Sequence, residues 1–423
     1  MQPYRRRKTT TTRLGKWLPE SPGGLKDWLK KTIGDAQNRK QPFHPVIKEF
    51  EQLIENDPVV NMYFSQMFSN QPPFEPPAGS GDLKLENYQQ MLTVLNHILT
   101  LAPEFDATEM VGCPINAILD FPMITDAGLA AFASDKVNAI IREVLIVWKS
   151  FLDSSASRYV LNDSPNGWFG ETARRALKLE EFEIKSSDPF LGFKSWNDFF
   201  IRRFQPGRRP VAQPDNPKAV VSACESKPFA IEKQVKRTNN FWIKSQPYSL
   251  VHLLNGHYVD QFVGGTVYQA FLSAENYHRW HCPVTGTIKK FETVPGTYYS
   301  EAASVGFDAA GPTNSQGYLA HVATRVLIFI EADDPQIGLV GLVFVGMAEV
   351  SSCIVKDAND QPLKKGQELT KGDQLGYFQF GGSTYCTVFR PGAISQFSAE
   401  AIPQGENGVQ SAIVKVNSLL AIG

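Results

Sequence analysis

Two glycines followed by a serine and a threonine stand near the C-terminus, in residues 380–384 (FGGST). Glycine adopts backbone conformations that other residues rarely reach, so Ser383 could approach the carbonyl of Gly382 at this position. Attack by the hydroxyl would convert the peptide bond into an ester, and β-elimination would turn Ser383 into a pyruvoyl group. Glycine-rich turns are also common in ordinary loops, so the motif alone predicts either a loop or a self-processing site.

Residues 277–283 (YHRWHCP) contain two histidines three positions apart. His278 and His281 have three interpretations: paired metal ligands, structural histidines, or general bases. No further ligands with suitable spacing are nearby, which disfavours the metal pair. As bases, one neutral imidazole would take the proton of Ser383 during cleavage, and the other would move protons during turnover.

A carboxylate that orients the imidazole would strengthen a serine–histidine pair, and Glu225 is the candidate. It lies among small residues in residues 221–226 (VSACES), just after a β-type run. An isolated glutamate is usually a surface residue, so this pattern alone leaves Glu225 either exposed or functional.

The composition is that of a globular protein with 423 residues, 42% hydrophobic and 20% charged, and a formal net charge of −1. This length allows two or three domains, and the charge argues against a general nucleic-acid binder. The five cysteines are scattered without CxxC spacing, so we expect reduced thiols rather than a disulfide framework or a zinc site. No apolar run is long enough to predict a transmembrane helix.

Residues 1–23 begin with a basic stretch that contains a threonine run and no acid before Glu20. This composition suits a mitochondrial presequence or a disordered tail. Its few apolar residues do not extend into an amphipathic helix. We therefore expect a disordered basic tail and a cytoplasmic protein, with a mitochondrial location as the alternative.

Apolar residues at helical spacing dominate residues 24–185, which we predict to form a helical N-terminal domain. His97 falls within this pattern and is interpreted as a packed core histidine. Residues 71–81 are rich in proline and glycine and predict a loop. The predicted helices cover residues 46–54, a segment starting at Asp57-Pro58, 88–101 and 134–152.

The character of the chain changes after residues 186–189, and a short aromatic helix is predicted at 196–204. From residue 220 onward the chain consists mostly of short β-type runs between glycine, proline and asparagine. Such spacing predicts a sandwich-like or barrel-like core. We therefore expect an α+β protein whose helical N-terminal domain packs on a β-rich catalytic domain, residues 186–423. The predicted strands include residues 265–271, 325–330, 338–345 and 411–416.

In their order along the chain, these motifs resemble the phosphatidylserine decarboxylase family, over roughly residues 190–423. The segments that carry the resemblance are residues 195–204 (SWNDFFIRRF, like F-N-D-F-F-x-R), 206–210 (PGRRP, like P-G-x-R-P), 277–283 (like Y-H-R-x-H-x-P), 345–350 (VGMAEV, like the strand before the processing site) and 364–384 (like K-G-x-E-x-G-x-F-x-x-G-S).

The helical half resembles a narrower branch, the soluble fungal-type L-tryptophan decarboxylases built on this scaffold. Residues 51–60, 167–177 and 330–333 carry this resemblance. The family's V-D-G is replaced by residues 224–226 (CES), so Glu225 stands where most members carry an aspartate.

The resemblance implies a role for each candidate residue. Ser383 would be the nucleophile and the precursor of the pyruvoyl cofactor, and Gly382 would supply the cleaved carbonyl. His281 would be the base for self-cleavage, oriented by Glu225, and His278 would donate or accept a proton in decarboxylation. No metal or external cofactor is implied. The fragments 1–382 and 383–423 would stay associated.

The implied activity is pyruvoyl-dependent decarboxylation of a free amino acid, with the conversion of L-tryptophan to tryptamine as the leading expectation. One alternative is a phosphatidylserine decarboxylase that makes phosphatidylethanolamine, and membrane contact is expected only in that case. A second alternative is an uncleaved, non-catalytic family member that acts as a scaffold. No nucleic-acid partner is expected.

Overall fold

The computed structural model describes residues 22–39, 41–69, 85–107, 110–240, 248–300, 312–350, 352–405 and 408–423. The basic tail predicted for residues 1–23 lies outside these ranges, apart from its last two residues, which begin a helix. The loop predicted for residues 71–81 lies wholly outside them.

Helices form the N-terminal half and a few short connections in the C-terminal half. They are α1 (Pro22–Arg39), α2 (Pro45–Asn56), α3 (Pro58–Ser69), α4 (Tyr88–Ile98), α5 (Pro114–Met123), α6 (Asp126–Phe132), α7 (Asp135–Leu152), α8 (Glu171–Leu177), α9 (Trp196–Phe200), α10 (Leu250–Leu253), α11 (Val259–Phe262) and α12 (Pro312–Val322).

The predicted helices correspond to α2, α3, α4 and α7, which confirms them. Helix α3 begins where expected because the Asp57 carboxylate accepts hydrogen bonds from the N–H groups of Val59 and Val60, at 3.0 and 3.2 Å. His97 is buried on α4, as predicted for a core histidine. The aromatic helix predicted for residues 196–204 is shorter than expected, because Ile201 leaves the helical conformation (φ −93°, ψ 25°).

The C-terminal half is built from strands. They are β1 (Ala219–Val221), β2 (Lys227–Lys233), β3 (Thr266–Leu272), β4 (Arg279–His281), β5 (Gly286–Val294), β6 (Arg325–Ala332), β7 (Leu339–Gly346), β8 (Ser352–Val355), β9 (Glu368–Leu369), β10 (Gln374–Gln379), β11 (Ser383–Phe389), β12 (Gln396–Phe397) and β13 (Leu419–Ile422).

These strands form a seven-stranded sheet in the order β2-β3-β11-β7-β6-β5-β9 and two three-stranded sheets, β1-β13-β12 and β4-β10-β8. Side chains alternate between the two faces of a strand, so the large sheet has two cores. Cys386 of β11 packs in the core shared with the helices, whereas its neighbour Tyr385 packs in the core shared with the small sheets. This confirms the α+β class with a sandwich-like core, and the large sheet is open rather than a closed barrel.

The strand predicted for residues 411–416 is wrong. In this segment Val414 makes only an isolated bridge to Ser226. The pairing stops because the chain turns, with the N–H of Ser418 donating to the carbonyl of Lys415. The last strand, β13, follows that turn.

The helical half contacts the segment that leads into β11. The ring of Phe380 lies 5.4 Å from that of Trp148 on α7, and 5.6 and 5.0 Å from those of Trp196 and Phe200 on α9. Residues just before Gly381 are therefore fixed by the helices on one side and by the sheet on the other. Within the described residues, no helix is both long and apolar enough to cross a bilayer.

Candidate active site

Ser383 is the first residue of β11, in the middle of the large sheet, where it pairs with Leu272 of β3 and Gly346 of β7. Its side chain is fully buried, and its Oγ has no hydrogen-bond partner among the residues that the structure describes. Leaving a buried hydroxyl unpaired costs about 1–3 kcal/mol. Such an atom is a candidate for a chemical rather than a structural role.

The peptide before Ser383 is held by the segment that follows β7. The carbonyl of Gly382 accepts a hydrogen bond from the N–H of Met347, and the N–H of Gly382 donates one to the carbonyl of Ala348, both at 2.9 Å. Met347 is thus a backbone donor at the oxygen that would become negative when Ser383 attacks.

Gly381 shows why glycine is required beside this peptide. Its φ is +136°, and a Cβ there would lie 2.4 Å from the carbonyl oxygen of Ala348 and 2.6 Å from the nitrogen of Val350. Any larger residue would push the 347–350 segment away from the cleavage site. The sequence argument from paired glycines is therefore supported at Gly381.

His281, at the end of β4, is held at both ring nitrogens. Its Nδ1 lies 2.7 Å from the carbonyl of Gly372 and its Nε2 lies 2.9 Å from the hydroxyl of Tyr277. Because a carbonyl only accepts, Nδ1 carries the hydrogen and Nε2 accepts from Tyr277. Burial lowers the pKa of His281 to about 4, so the ring is neutral near pH 7.

Glu225 has a different partner from the one predicted. Its carboxylate pairs with the guanidinium of Arg209 through two hydrogen bonds of 2.7 and 2.9 Å. Arg209 also reaches Glu181, at 2.8 Å. The planar guanidinium of arginine can donate two parallel hydrogen bonds to a carboxylate, and both ring nitrogens of His281 are already hydrogen-bonded to other groups. The predicted contact between Glu225 and His281 is therefore not formed.

His278 is fully buried just before β4, with its ring stacked on Phe200 at 4.1 Å between centroids. Its Nδ1 lies 2.9 Å from the carbonyl of Asn276. Burial and, secondarily, the charge of Arg202 lower the pKa of His278 to about 3, so this imidazole is also neutral. Phe200 also contacts Phe380. His278 is therefore connected through these two rings to the residues that precede the cleavage site.

The two histidines and Ser383 are linked through β10. This strand pairs with β4, and the N–H of Phe378 donates to the carbonyl of His278. The chain then continues directly from β10 through residues 380–382 into Ser383. Phe378, beside His278, is five residues before Ser383, and Gln374, which pairs with His281, is nine residues before it, so the roles of the two histidines stay predictions. Among the described residues, no group of His, Cys, Asp or Glu side chains could hold a metal ion.

Sequence reasoning missed Glu349, which lies in the segment that holds Gly382. Its side chain is 1% exposed, and its backbone has a φ of +67°. One oxygen accepts hydrogen bonds from the N–H groups of Ile115 and Asn116. Burial raises the pKa of Glu349 to about 8. An acid directly after an apolar strand was the available signal.

Comparisons with known proteins identify one family. A family model described as phosphatidylserine decarboxylase matches residues 44–177, and a second model of the same description matches residues 196–416. The chain is similar to decarboxylase iboD of Amanita muscaria, with 40% identity over 73% of this chain and 91% of that protein. It is similar to L-tryptophan decarboxylase of Psilocybe cubensis, with 32% identity over 96% of this chain and 93% of that protein.

A further similarity, to phosphatidylserine decarboxylase proenzyme 3 of Schizosaccharomyces pombe, has 32% identity over 56% of this chain and 22% of that protein. The similarity to the Psilocybe protein therefore includes the helical half, whereas the similarity to the yeast proenzyme covers little more than half of the chain.

Proposed function

The chain belongs to the phosphatidylserine decarboxylase family of carboxy-lyases, and from that premise we propose that it cleaves itself between Gly382 and Ser383 and decarboxylates a free amino acid. The observation that carries the proposal is the buried hydroxyl of Ser383, which has no partner among the residues described, next to a carbonyl that already accepts a hydrogen bond from the N–H of Met347. We expect L-tryptophan as the substrate, because the L-tryptophan decarboxylase of Psilocybe cubensis matches 96% of this chain.

Self-cleavage begins when Oγ of Ser383 adds to the carbonyl carbon of Gly382 and gives its proton to Nε2 of His281. The Tyr277 hydroxyl must release that nitrogen first. The C–N bond then breaks, the nitrogen takes up the proton, and the chain is joined by an ester. The N–H of Met347 stabilises the negative oxygen in this step.

The ester is broken by β-elimination. Loss of the α-proton of residue 383 expels Gly382 as a carboxylate, which ends the chain 1–382. The dehydroalanine left at position 383 tautomerises to an imine, takes up water and releases ammonia. The product is a pyruvoyl group at the start of the chain 383–423.

The surroundings of Ser383 fit this group, because the side chain is fully buried and its hydroxyl has no hydrogen-bond partner in the described part of the chain. Once formed, a pyruvoyl group supplies a carbonyl that binds the substrate amine and takes up the electron pair left by CO2, as pyridoxal phosphate does elsewhere. We assign proton transfer at the substrate α-carbon to His278. Its imidazole is neutral and buried, and it stacks on Phe200, which in turn contacts Phe380.

The fragments should stay associated after cleavage. Strand β11 lies between β3 and β7 in the large sheet, and β13 pairs with β1. Separating residues 383–423 from the rest would break both sheets. The cytoplasmic location expected from the sequence stays a prediction, which cell fractionation would check.

The test is to incubate the purified protein with L-tryptophan, without pyridoxal phosphate, and to measure tryptamine by mass spectrometry. Tryptamine from the cleaved protein, and none from Ser383→Ala, would support the proposal. A cleaved protein that makes no tryptamine would overturn the expected substrate.

The second candidate is phosphatidylserine decarboxylase, favoured by the family match and by the yeast proenzyme. Phosphatidylserine vesicles in the same assay distinguish it, with phosphatidylethanolamine as the product. A single uncut chain under denaturing conditions would instead support the non-catalytic scaffold.

A further inference from the structure

Glu349 occupies an unusual position for a carboxyl group. It is buried between the helical half and the cleavage site, and its left-handed backbone (φ +67°) is one that non-glycine residues adopt at a cost of about 1–3 kcal/mol. Such strain persists only where the surrounding structure holds the residue in place. The contacts of Glu349 show what holds it.

The side chain of Glu349 is fixed to the start of α5 in the helical half. One carboxyl oxygen accepts from the N–H of Ile115 and, at 2.8 Å, from the N–H of Asn116. These N–H groups belong to the first turn of α5, where no intrahelical acceptor is available. The thiol of Cys113, just before α5, donates to the carbonyl of Ala348 at 3.9 Å, directly beside Glu349.

The backbone around Glu349 is fixed to the cleavage site. The carbonyl of Ala348, the residue directly before Glu349, accepts a hydrogen bond from the N–H of Gly382. The N–H of Met347 donates a hydrogen bond to the carbonyl of Gly382. A Cβ on Gly381 would lie 2.7 Å from the carbonyl carbon of Glu349. A shift of Glu349 would therefore displace the groups that hold the scissile peptide.

We propose that Glu349 is a positioning residue for self-cleavage, which in its protonated form fixes the 347–350 segment on α5 so that Met347 and Ala348 hold the Gly382 peptide. This inference rests on the proposed self-cleavage at Ser383. The proton matters because negative charge develops on the Gly382 oxygen during attack. An ionised carboxylate two residues from Met347 would repel that charge, and a protonated one would not.

The surroundings of Glu349 allow it to keep its proton near neutral pH. Burial raises its pKa to about 8, partly offset by the two N–H donors and by Cys113. Cys113 is the titratable group that faces it from α5. Strand β7 and residues 380–383, the other neighbouring elements, contain no ionisable side chain except the hydroxyl of Ser383. As pH rises through about 8, Glu349 ionises and self-cleavage should slow.

Cell-free synthesis of the full chain tests this. Translation is stopped, the precursor is moved to buffers between about pH 7 and pH 9, and conversion to 1–382 and 383–423 is followed on denaturing gels. Glu349→Gln keeps the acceptor oxygen but cannot ionise, so the ratio of its cleavage rate to that of the wild type should rise about tenfold over this range. Glu368→Gln, the same change at an exposed residue, should give a constant ratio.

Glu349→Ala removes the acceptor and should leave most of the precursor uncut under conditions where the wild type is cleaved. A constant Glu349→Gln ratio, or wild-type cleavage of Glu349→Ala, would overturn the inference. Wild-type chain that stays uncut at every pH would instead refute the proposed self-cleavage itself, so the two failures are distinguishable.

Discussion

The backbone N–H of Met347 donates a 2.9 Å hydrogen bond to the carbonyl of Gly382, the carbonyl that Ser383 would attack. The N–H of Gly382, which belongs to the preceding peptide group, donates a bond of the same length to the carbonyl of Ala348, so two consecutive residues hold Gly382 on both sides. The negative oxygen of the first intermediate would thus meet a donor that is already in place, without rearrangement of the backbone.

Replacing Ser383 by alanine should give a full-length, inactive chain that is at least as stable as the precursor. The hydroxyl has no hydrogen-bond partner among the described residues, so its removal relieves a burial cost of about 1–3 kcal/mol. Denaturing mass spectrometry and thermal unfolding measure the two effects. Thr387→Val is the matched control, because it removes another buried, unpartnered hydroxyl of β11 and should leave cleavage intact. Cleavage of Ser383→Ala at this site would refute the assignment.

Replacing Gly381 by alanine should slow self-cleavage by at least about tenfold, since a Cβ would lie 2.4 Å from the carbonyl oxygen of Ala348. Gly392→Ala is the control: its φ is also positive, at +73°, but no atom lies within 4 Å of the added Cβ. The control should lose only about 1 kcal/mol of stability from backbone strain. Equal cleavage rates for the two variants would show that steric contact with Ala348 is unimportant.

Much of this site was predictable from local patterns. Two glycines before Ser383 indicated a special backbone, and the spacing of apolar residues located α2, α4 and α7. These predictions succeeded because the information lies within a few neighbouring residues.

What depended on distant contacts was not predictable. Glu349 receives hydrogen bonds from residues 233 or more positions away in the chain, and nothing near it in sequence indicates them. Glu225 pairs with Arg209, which comes from a different loop, and not with His281. The strand expected at 411–416 has suitable residues, but the turn at Ser418 ends its pairing.

Arg209→Met should lower the free energy of unfolding by about 3 kcal/mol, because it leaves the largely buried carboxylate of Glu225 and that of Glu181 without their cation. Glu225→Gln should lower it by less, because Arg209 keeps Glu181 as a partner. Chemical unfolding of each variant in the uncleavable Ser383→Ala background measures this. Since Glu225 contacts Arg209 and not His281, we expect the two variants to cleave at similar rates when Ser383 is present. Much slower cleavage of Glu225→Gln alone would restore the orienting role that the family resemblance implied.

His278→Ala should still cleave but lose most of its decarboxylase activity, whereas His281→Ala should accumulate the precursor. The reason is that His281 is the assigned base for Ser383, and His278 is assigned to the substrate. Gel analysis of cleavage and product assays on the same preparations separate the two steps. If His278→Ala also stays uncut, the roles of the histidines are not divided in this way.

The protein should lose stability in acid from about pH 6.5 downward. His278 and His321 are buried and His281 is half-buried, and desolvation lowers their pKa values to about 3, 3 and 4, respectively. The unfolded chain takes up protons near pH 6.5 that the folded chain does not, which costs up to about 1.4 kcal/mol per histidine for each pH unit. Glu349 acts in the opposite direction, because its raised pKa makes the folded chain bind a proton between about pH 8 and pH 4.5.

Urea unfolding of Ser383→Ala at about pH 7, 6 and 5 measures the net effect. Three histidines lower the free energy of unfolding as the pH falls and one carboxyl group opposes them, so the expected loss between pH 6 and 5 is up to about 3 kcal/mol. His321 is not one of the assigned catalytic residues; its Nδ1–H donates to the carbonyl of Gly317 and its Nε2 accepts from the N–H of Ser249. His321→Gln should therefore reduce the pH dependence by one proton. An unchanged slope in His321→Gln would mean that His321 is already charged in the folded protein.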